Sequence, residues 1–199
     1  KQPSCGPVKG QAKMTELEKA LSGQLYNACD PQLESLRKKC KAMCFKYNSL
    51  PPWEEEAKAH IIKELFKSTG KNFVIEPNFY CDYGFNITIG ENFYSNHNLV
   101  ILDCANVTIG DNVFIAPNCG IYTAGHPIDF KTRNIGLEYA RPITIKNNVW
   151  IGANTAILPG VTIGEGCVIA AGSVVKNDIP PNVIAAGNPC AVVKKIAQK

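Results

Sequence analysis

Ile145 to Val175 reads IKNNVWIGANTAILPGVTIGEGCVIAAGSVV, and its period decides the fold. Taken in sixes, Ile145, Ile151, Ile157, Ile163, Ile169 and Val175 share one phase. Two residues before each stand Ile143, Val149, Thr155, Val161, Cys167 and Ser173. An α-helical face recurs at about 3.6 residues and a half-buried strand at two, so neither explains a sustained six. A six-residue repeat builds a β-helix, with one short strand and one turn per repeat. The aliphatic column then points into the solenoid. The small residues that follow it, Gly152, Gly164 and Ala170, are expected to let the backbone bend.

The same phase extends upstream through Ile109, Ile115 and Ile121, with Val107, Val113 and Cys119 in the second column. Before these come Ile89, Ser95 and Ile101, then Ile75, Cys81 and Ile87. The register slips by two residues at Cys104–Asn106 and again near Ile87–Ile89. Between Tyr122 and Pro142 it breaks outright, around Ala124-Gly125-His126-Pro127. A solenoid that opens to extrude a polar loop around a histidine is the main functional clue in the chain.

Outside the repeat the pattern is helical. Thr15-x-x-Glu18 is a capping box ahead of a short helix, and Gly23 is placed to end it. Asp30 and Pro31 suit the cap and first position of a second helix, which Pro51 and Pro52 stop. A third helix is expected from about Trp53 to Lys67. The organisation expected is a loose tail at 1–13, a helical region at 14–70, and a β-helix at 71–190. Within the β-helix the loop occupies 122–142, and regular coils end near Pro180 and Pro181. The basic segment 191–199 is expected to close the end as a helix or tail. Flat solenoid faces favour a symmetric oligomer.

The 199 residues suit one compact domain. The net charge of +4 comes without a clustered basic stripe, which argues against nucleic acid. No apolar run nears the roughly 20 residues that span a bilayer, and no signal-peptide core is evident, so a cytoplasmic location is expected. The nine cysteines show no zinc-finger spacing, and several sit in inward columns as small hydrophobes. No metal site is expected. Cys40 and Cys44, four apart on one helix, read as core packing.

His126 is the first candidate for catalysis. A neutral imidazole with an ordinary pKa of about 6.5 can take a proton from an attacking hydroxyl and return it to a leaving thiolate. His60 reads as a surface residue, and His97, next to Asn96, reads equally as a surface residue or one near the site.

Seven segments carry a family resemblance. They are Gly23-Gln-Leu-Tyr26, Cys81-Asp-Tyr-Gly84, Asn92-Phe-Tyr-Ser-Asn96, Ile109-Gly-Asp-Asn112, Gly125-His-Pro127, Asn148-Val-Trp-Ile-Gly152 and Ala186-Gly-Asn-Pro189. On these the chain resembles the maltose and galactoside O-acetyltransferases, which are hexapeptide-repeat acyltransferases. The resemblance runs from about Thr15 to Ile196. It implies a left-handed parallel β-helix, a homotrimer with active sites between subunits, acetyl-CoA as donor and a sugar as acceptor. It further implies that Asn96 steadies the tetrahedral oxyanion beside His126. On the acceptor side it implies Asp30, Arg37, Asp82 and Asp103. Glu138, in the extruded loop, is expected to orient either His126 or the acceptor. On the donor side it implies Ala153 and Ala171. Trp150 is expected to pack along the pantetheine arm, and the charges of Lys176 and Lys194 suit the CoA phosphates, with Lys176 standing where the galactoside branch has a hydroxyl residue. Cys104 stands where the galactoside branch has an acidic residue.

Two other functions on the same fold compete. A zinc hydratase needs three histidines around the metal, but Ile121 and Lys131 flank His126 at the required spacing. A non-catalytic scaffold would need neither the loop histidine nor Trp150. Within the acetyltransferases, an antibiotic or other xenobiotic alcohol is the alternative acceptor.

Overall fold

A computed structural model describes residues 14–197, so the expected tail at 1–13 and the last two residues of the 191–199 segment lie outside the described residues. From residue 73 onward the chain winds as a parallel β-helix with three flat faces. The first face stacks strands that include Phe73–Ile75, Phe93–Ser95, Phe114–Ile115, Trp150–Ile151 and Val168–Ile169. The second stacks Phe79–Cys81, Leu99–Leu102, Gly120–Tyr122, Ala156–Ile157 and Val174–Val175. The third stacks Ile87–Ile89, Val107–Ile109, Ile143–Ile145 and Thr162–Ile163.

Both columns read from the sequence are buried, from Ile143 and Ile145 through Ser173 and Val175. The corners are turned by residues in the left-handed region. Asn92, Asn112, Asn148 and Asn182 take it at one corner, and Asn98, Asn118 and Asn154 at the next. Asparagine tolerates this conformation better than other side-chain-bearing residues. Its amide also links the coils: Asn92 Nδ2 donates to Asn112 Oδ1 at 3.0 Å, and Asn112 Nδ2 donates to Asn148 Oδ1 at 3.1 Å.

Gly152 and Gly164 serve a different end from the bending expected of them. Neither has a positive φ. A Cβ on Gly152 would stand 2.5 Å from the Ala171 nitrogen, and one on Gly164 would stand 2.5 Å from the Pro181 nitrogen. Their smallness lets the next coil sit down.

The two-residue slips have a common position. In the early coils, stacked partners lie twenty apart, as Ile75 with the residue at 95 and Ser95 with the residue at 115. In the later coils they lie eighteen apart, as Ile145 with Ile163. The extra residues fall at 82–86 and 103–106, both between the second and third faces. The excursion 123–142 leaves from that same corner. It carries the antiparallel pair Ala124–Gly125 and Leu137–Ala140, and Arg141 N–H closes it by donating to Thr123 O at 2.8 Å.

Among the described residues four helices flank the solenoid: α1 (Glu16–Leu21), α2 (Pro31–Asn48), α3 (Glu55–Leu65) and, in the excursion, α4 (Phe130–Asn134). The Thr15–Glu18 capping box is formed, and Asp30 Oδ1 accepts from Gln32 N–H and Leu33 N–H to cap α2. Cys40, Cys44 and Tyr47 of α2 bury against the solenoid's first coil in one continuous core. The C-terminal end departs from expectation. Val183–Gly187 adds a further parallel strand beyond Pro180 and Pro181, and Cys190–Lys195 returns antiparallel to it as a strand rather than a helix. That hairpin gives an otherwise open edge a partner.

Candidate active site

The expanded corner holds a cleft of about 450 Å³. Asp82 and Cys104 line it from the two enlarged turns, His126 and Glu138 from the excursion, and Leu158 and Pro159 from the next coil. The interruptions of the repeat therefore stack into one concave surface.

His126 follows directly on Ala124–Gly125, and Glu138 lies on the opposing strand. The His126 side chain is exposed, with Nε2 3.8 Å from Glu138 Oε1. This spacing allows electrostatic support of an imidazolium, though it exceeds hydrogen-bond length. Glu138 is held from behind, because Tyr26 OH donates to its Oε2 at 2.7 Å. Tyr26 is fully buried, and burial pushes its phenol well above the ordinary range, so it stays a donor. The short strand Tyr26–Asn27 pairs with the Glu138 strand, and this fixes the contact.

Cys104 Sγ donates to Asp82 Oδ2 at 3.4 Å. Burial raises the Asp82 carboxyl, opposed by the Cys104 hydrogen bond and the Arg37 charge. Arg37 itself is engaged, with Nη1 donating to Tyr83 OH at 2.7 Å and Nη2 to Ala28 O at 2.6 Å. Its guanidinium braces α2 against the 82–86 turn. Asp30 spends Oδ1 on the α2 cap.

Asp103 departs from the role expected of it. It is wholly buried, so no acceptor can reach it. Oδ1 accepts from Asp82 N–H at 3.0 Å and Tyr83 N–H at 2.9 Å, while Oδ2 has no partner. Asp103 is a positioning residue that shapes the turn carrying Asp82. Burial lifts its carboxyl to about 6. The folded chain thus keeps a proton that the unfolded chain releases near pH 4. Stability from this group is full below pH 4 and is lost as pH rises to about 6, by up to about 3 kcal/mol. Asp103→Asn cannot titrate. The wild type is expected to lose stability relative to Asp103→Asn between pH 4 and 6.5 in denaturant melts, and parallel profiles would refute the assignment.

The other predicted residues stand elsewhere. Asn96 and the 55 % exposed Trp150 line a second cleft with Tyr94, Phe114, Ile115 and Ala116. Asn96 Oδ1 accepts from His97 N–H at 2.7 Å, which leaves its amide N–H₂ available. Ala153 and Ala171 stack at the same corner, where Gly172 N–H donates to Ala153 O at 2.8 Å. Exposed Lys194 lies on the final strand of the first face, whereas exposed Lys176 sits across at the His126 corner. Within one chain, then, His126, Asp82 and Glu138 come together, and Asn96, Trp150, Ala153 and Ala171 gather at the far edge of the second face.

His97 Nδ1 is bonded to Pro77 O, and His60 Nε2 lies 3.1 Å from Glu64 Oε1 on α3. Neither joins either cleft. Among the described residues, no cluster of metal-ligating groups includes His126. Tyr26 was missed as a site residue. Its partner Glu138 is 112 positions away, and nothing local marks the pair.

Comparison with known proteins agrees with this architecture. Residues 19–70 match the maltose acetyltransferase hexapeptide capping motif, and residues 142–177 match the bacterial transferase hexapeptide (six repeats). The galactoside O-acetyltransferase of Escherichia coli (strain K12) is 48% identical, over 92% of this chain and 90% of its own. A solved maltose O-acetyltransferase from Clostridium difficile 630 is 51% identical, with a TM-score of 0.92 over 93% of this chain and 99% of its own. A galactoside acetyltransferase solved in complex with coenzyme A is 47% identical, with a TM-score of 0.90 over 93% of this chain and 92% of its own. The chain belongs to the maltose and galactoside O-acetyltransferase family of hexapeptide-repeat acyltransferases.

Proposed function

We propose that the protein transfers the acetyl group of acetyl-CoA to a sugar hydroxyl, as a homotrimer whose active sites lie between subunits. The observation that carries this reading is the separation of the two half-sites. His126 and Glu138 line one cleft, and Asn96 and Trp150 line another. A threefold assembly would set one chain's Asn96 corner against its neighbour's His126 corner. Ile128, Phe130 and Ile135 are exposed on the excursion and supply apolar surface for such a contact.

The acceptor oxygen attacks the thioester carbonyl carbon while His126 takes its proton. Glu138 steadies the imidazolium. The Asn96 amide donates to the oxyanion of the tetrahedral intermediate. Collapse breaks the carbon–sulfur bond, and the CoA thiolate leaves with the proton from His126. The products are an acetyl ester and free CoA. Asp82 accepts hydrogen bonds from other sugar hydroxyls. Trp150 packs along the pantetheine arm, the Ala153 and Ala171 backbones approach it, and Lys176 and Lys194 meet the phosphates.

A thiol-release assay tests the reading. Purified protein with acetyl-CoA is offered maltose, glucose, galactosides and chloramphenicol, and free CoA is followed. Sugar-dependent release is expected. Release with chloramphenicol alone would replace the sugar acceptor by a xenobiotic one. Absence of CoA binding would overturn the reading entirely.

A further inference from the structure

Beneath α2 three cysteines converge. Cys40 and Cys44 stand one helical turn apart on the buried face of α2, and Cys81 ends the first strand of the second face. All three are buried and free. Cys40 Sγ lies 3.4 Å from Cys81 Sγ, Cys44 Sγ lies 3.9 Å from Cys81 Sγ, and all three sulfurs fall within 4.8 Å of one another. Packing alone accounts for small apolar residues here but not for three sulfurs pointed at one spot.

We propose that Cys40, Cys44 and Cys81 form a trigonal thiolate site for a soft monovalent cation, Cu(I), which fastens α2 to the first coil of the solenoid. Three sulfurs around one metal at about 2.3 Å would stand about 4.0 Å apart in a plane. The observed spacings need only small side-chain shifts to reach that. Among the described residues no histidine or carboxylate joins the cluster. Structural zinc takes four ligands, whereas soft sulfur sets select Cu(I). Each thiol gives up its proton on binding the cation, so metal entry releases protons to solvent. No electron is transferred.

The test titrates the reduced, intact protein anaerobically with Cu(I) supplied as its acetonitrile complex, against a chromogenic bicinchoninate chelator. One copper per chain is expected to be withheld from the chelator, with an ultraviolet thiolate-to-copper band and a raised melting temperature. Cys44→Ala and Cys81→Ser are each expected to withhold copper roughly 100-fold less tightly, while Cys167→Ala, a buried cysteine outside the cluster, should match the wild type. X-ray absorption on the wild-type copper form should report three sulfurs at about 2.3 Å, which keeps the test sound if a variant misfolds. Failure to withhold copper overturns the site, as does undiminished binding by a Cys44→Ala/Cys81→Ser double variant. Displacement of copper by equimolar zinc overturns the trigonal Cu(I) assignment.

Discussion

His126→Ala is expected to lower the acetyl-transfer rate constant about 1,000-fold, or roughly 4 kcal/mol, while leaving the fold, the proposed assembly and the CoA affinity intact. The chemistry sets the size of the loss. A sugar hydroxyl holds its proton too tightly to attack a thioester at neutral pH, and the departing thiolate needs a proton in return. In the proposed mechanism one positioned imidazole serves both steps. The structure sets the specificity of the loss. The His126 side chain is exposed and its close ionic neighbour is Glu138. The excursion is held instead by backbone pairing of Ala124–Gly125 with Tyr139–Ala140, and by Tyr26 beside Glu138. Removing the ring takes away no core contact. Single-turnover thiol release, gel filtration and CoA binding check the three parts of the claim. A rate constant equal to the parent's would remove His126 from the chemistry.

The sequence made the solenoid legible because its determinants are local and periodic. Each inward Ile is specified by its own six, and every member of the Ile145-to-Val175 column is buried. The slips near Ile87 and Cys104 were visible too, but not their meaning. Only the stacking of 82–86, 103–106 and 123–142 at one corner turns three irregularities into one cleft. What could not be read was set by partners distant along the chain. Gly152 must be small because Ala171 of the next coil lies against it. Cys190–Lys195 is a strand because Val183–Gly187 offers it an edge. Asp103 was expected to face the acceptor. Its burial follows from the backbone N–H groups of Asp82 and Tyr83, one coil earlier, which gather around it. His126 stood out as the residue at the break, whereas Tyr26, which anchors Glu138 behind it, did not.

Ile157→Asp is expected to abolish folding of the solenoid, or at least to cost about 5 kcal/mol, a large part of the stability of an ordinary domain. Ile157 is buried between Ile121 and Val175, its stacked neighbours on the second face. A carboxylate there would have apolar side chains above and below and no cation in reach along the column. Protonation would avoid the charge but leave the hydroxyl without water. The change also removes a branched aliphatic side chain from a stack in which each member supports the next, so the defect is felt in both neighbouring coils. Ile157→Val provides the control. It keeps the column apolar and should cost only about 1 kcal/mol. Circular dichroism and thermal melts of the pair separate a charge in a dry column from a simple loss of volume. If the aspartate variant melted with the parent, Ile157 would have to face solvent, and the inward phase assigned to the whole repeat would be wrong with it.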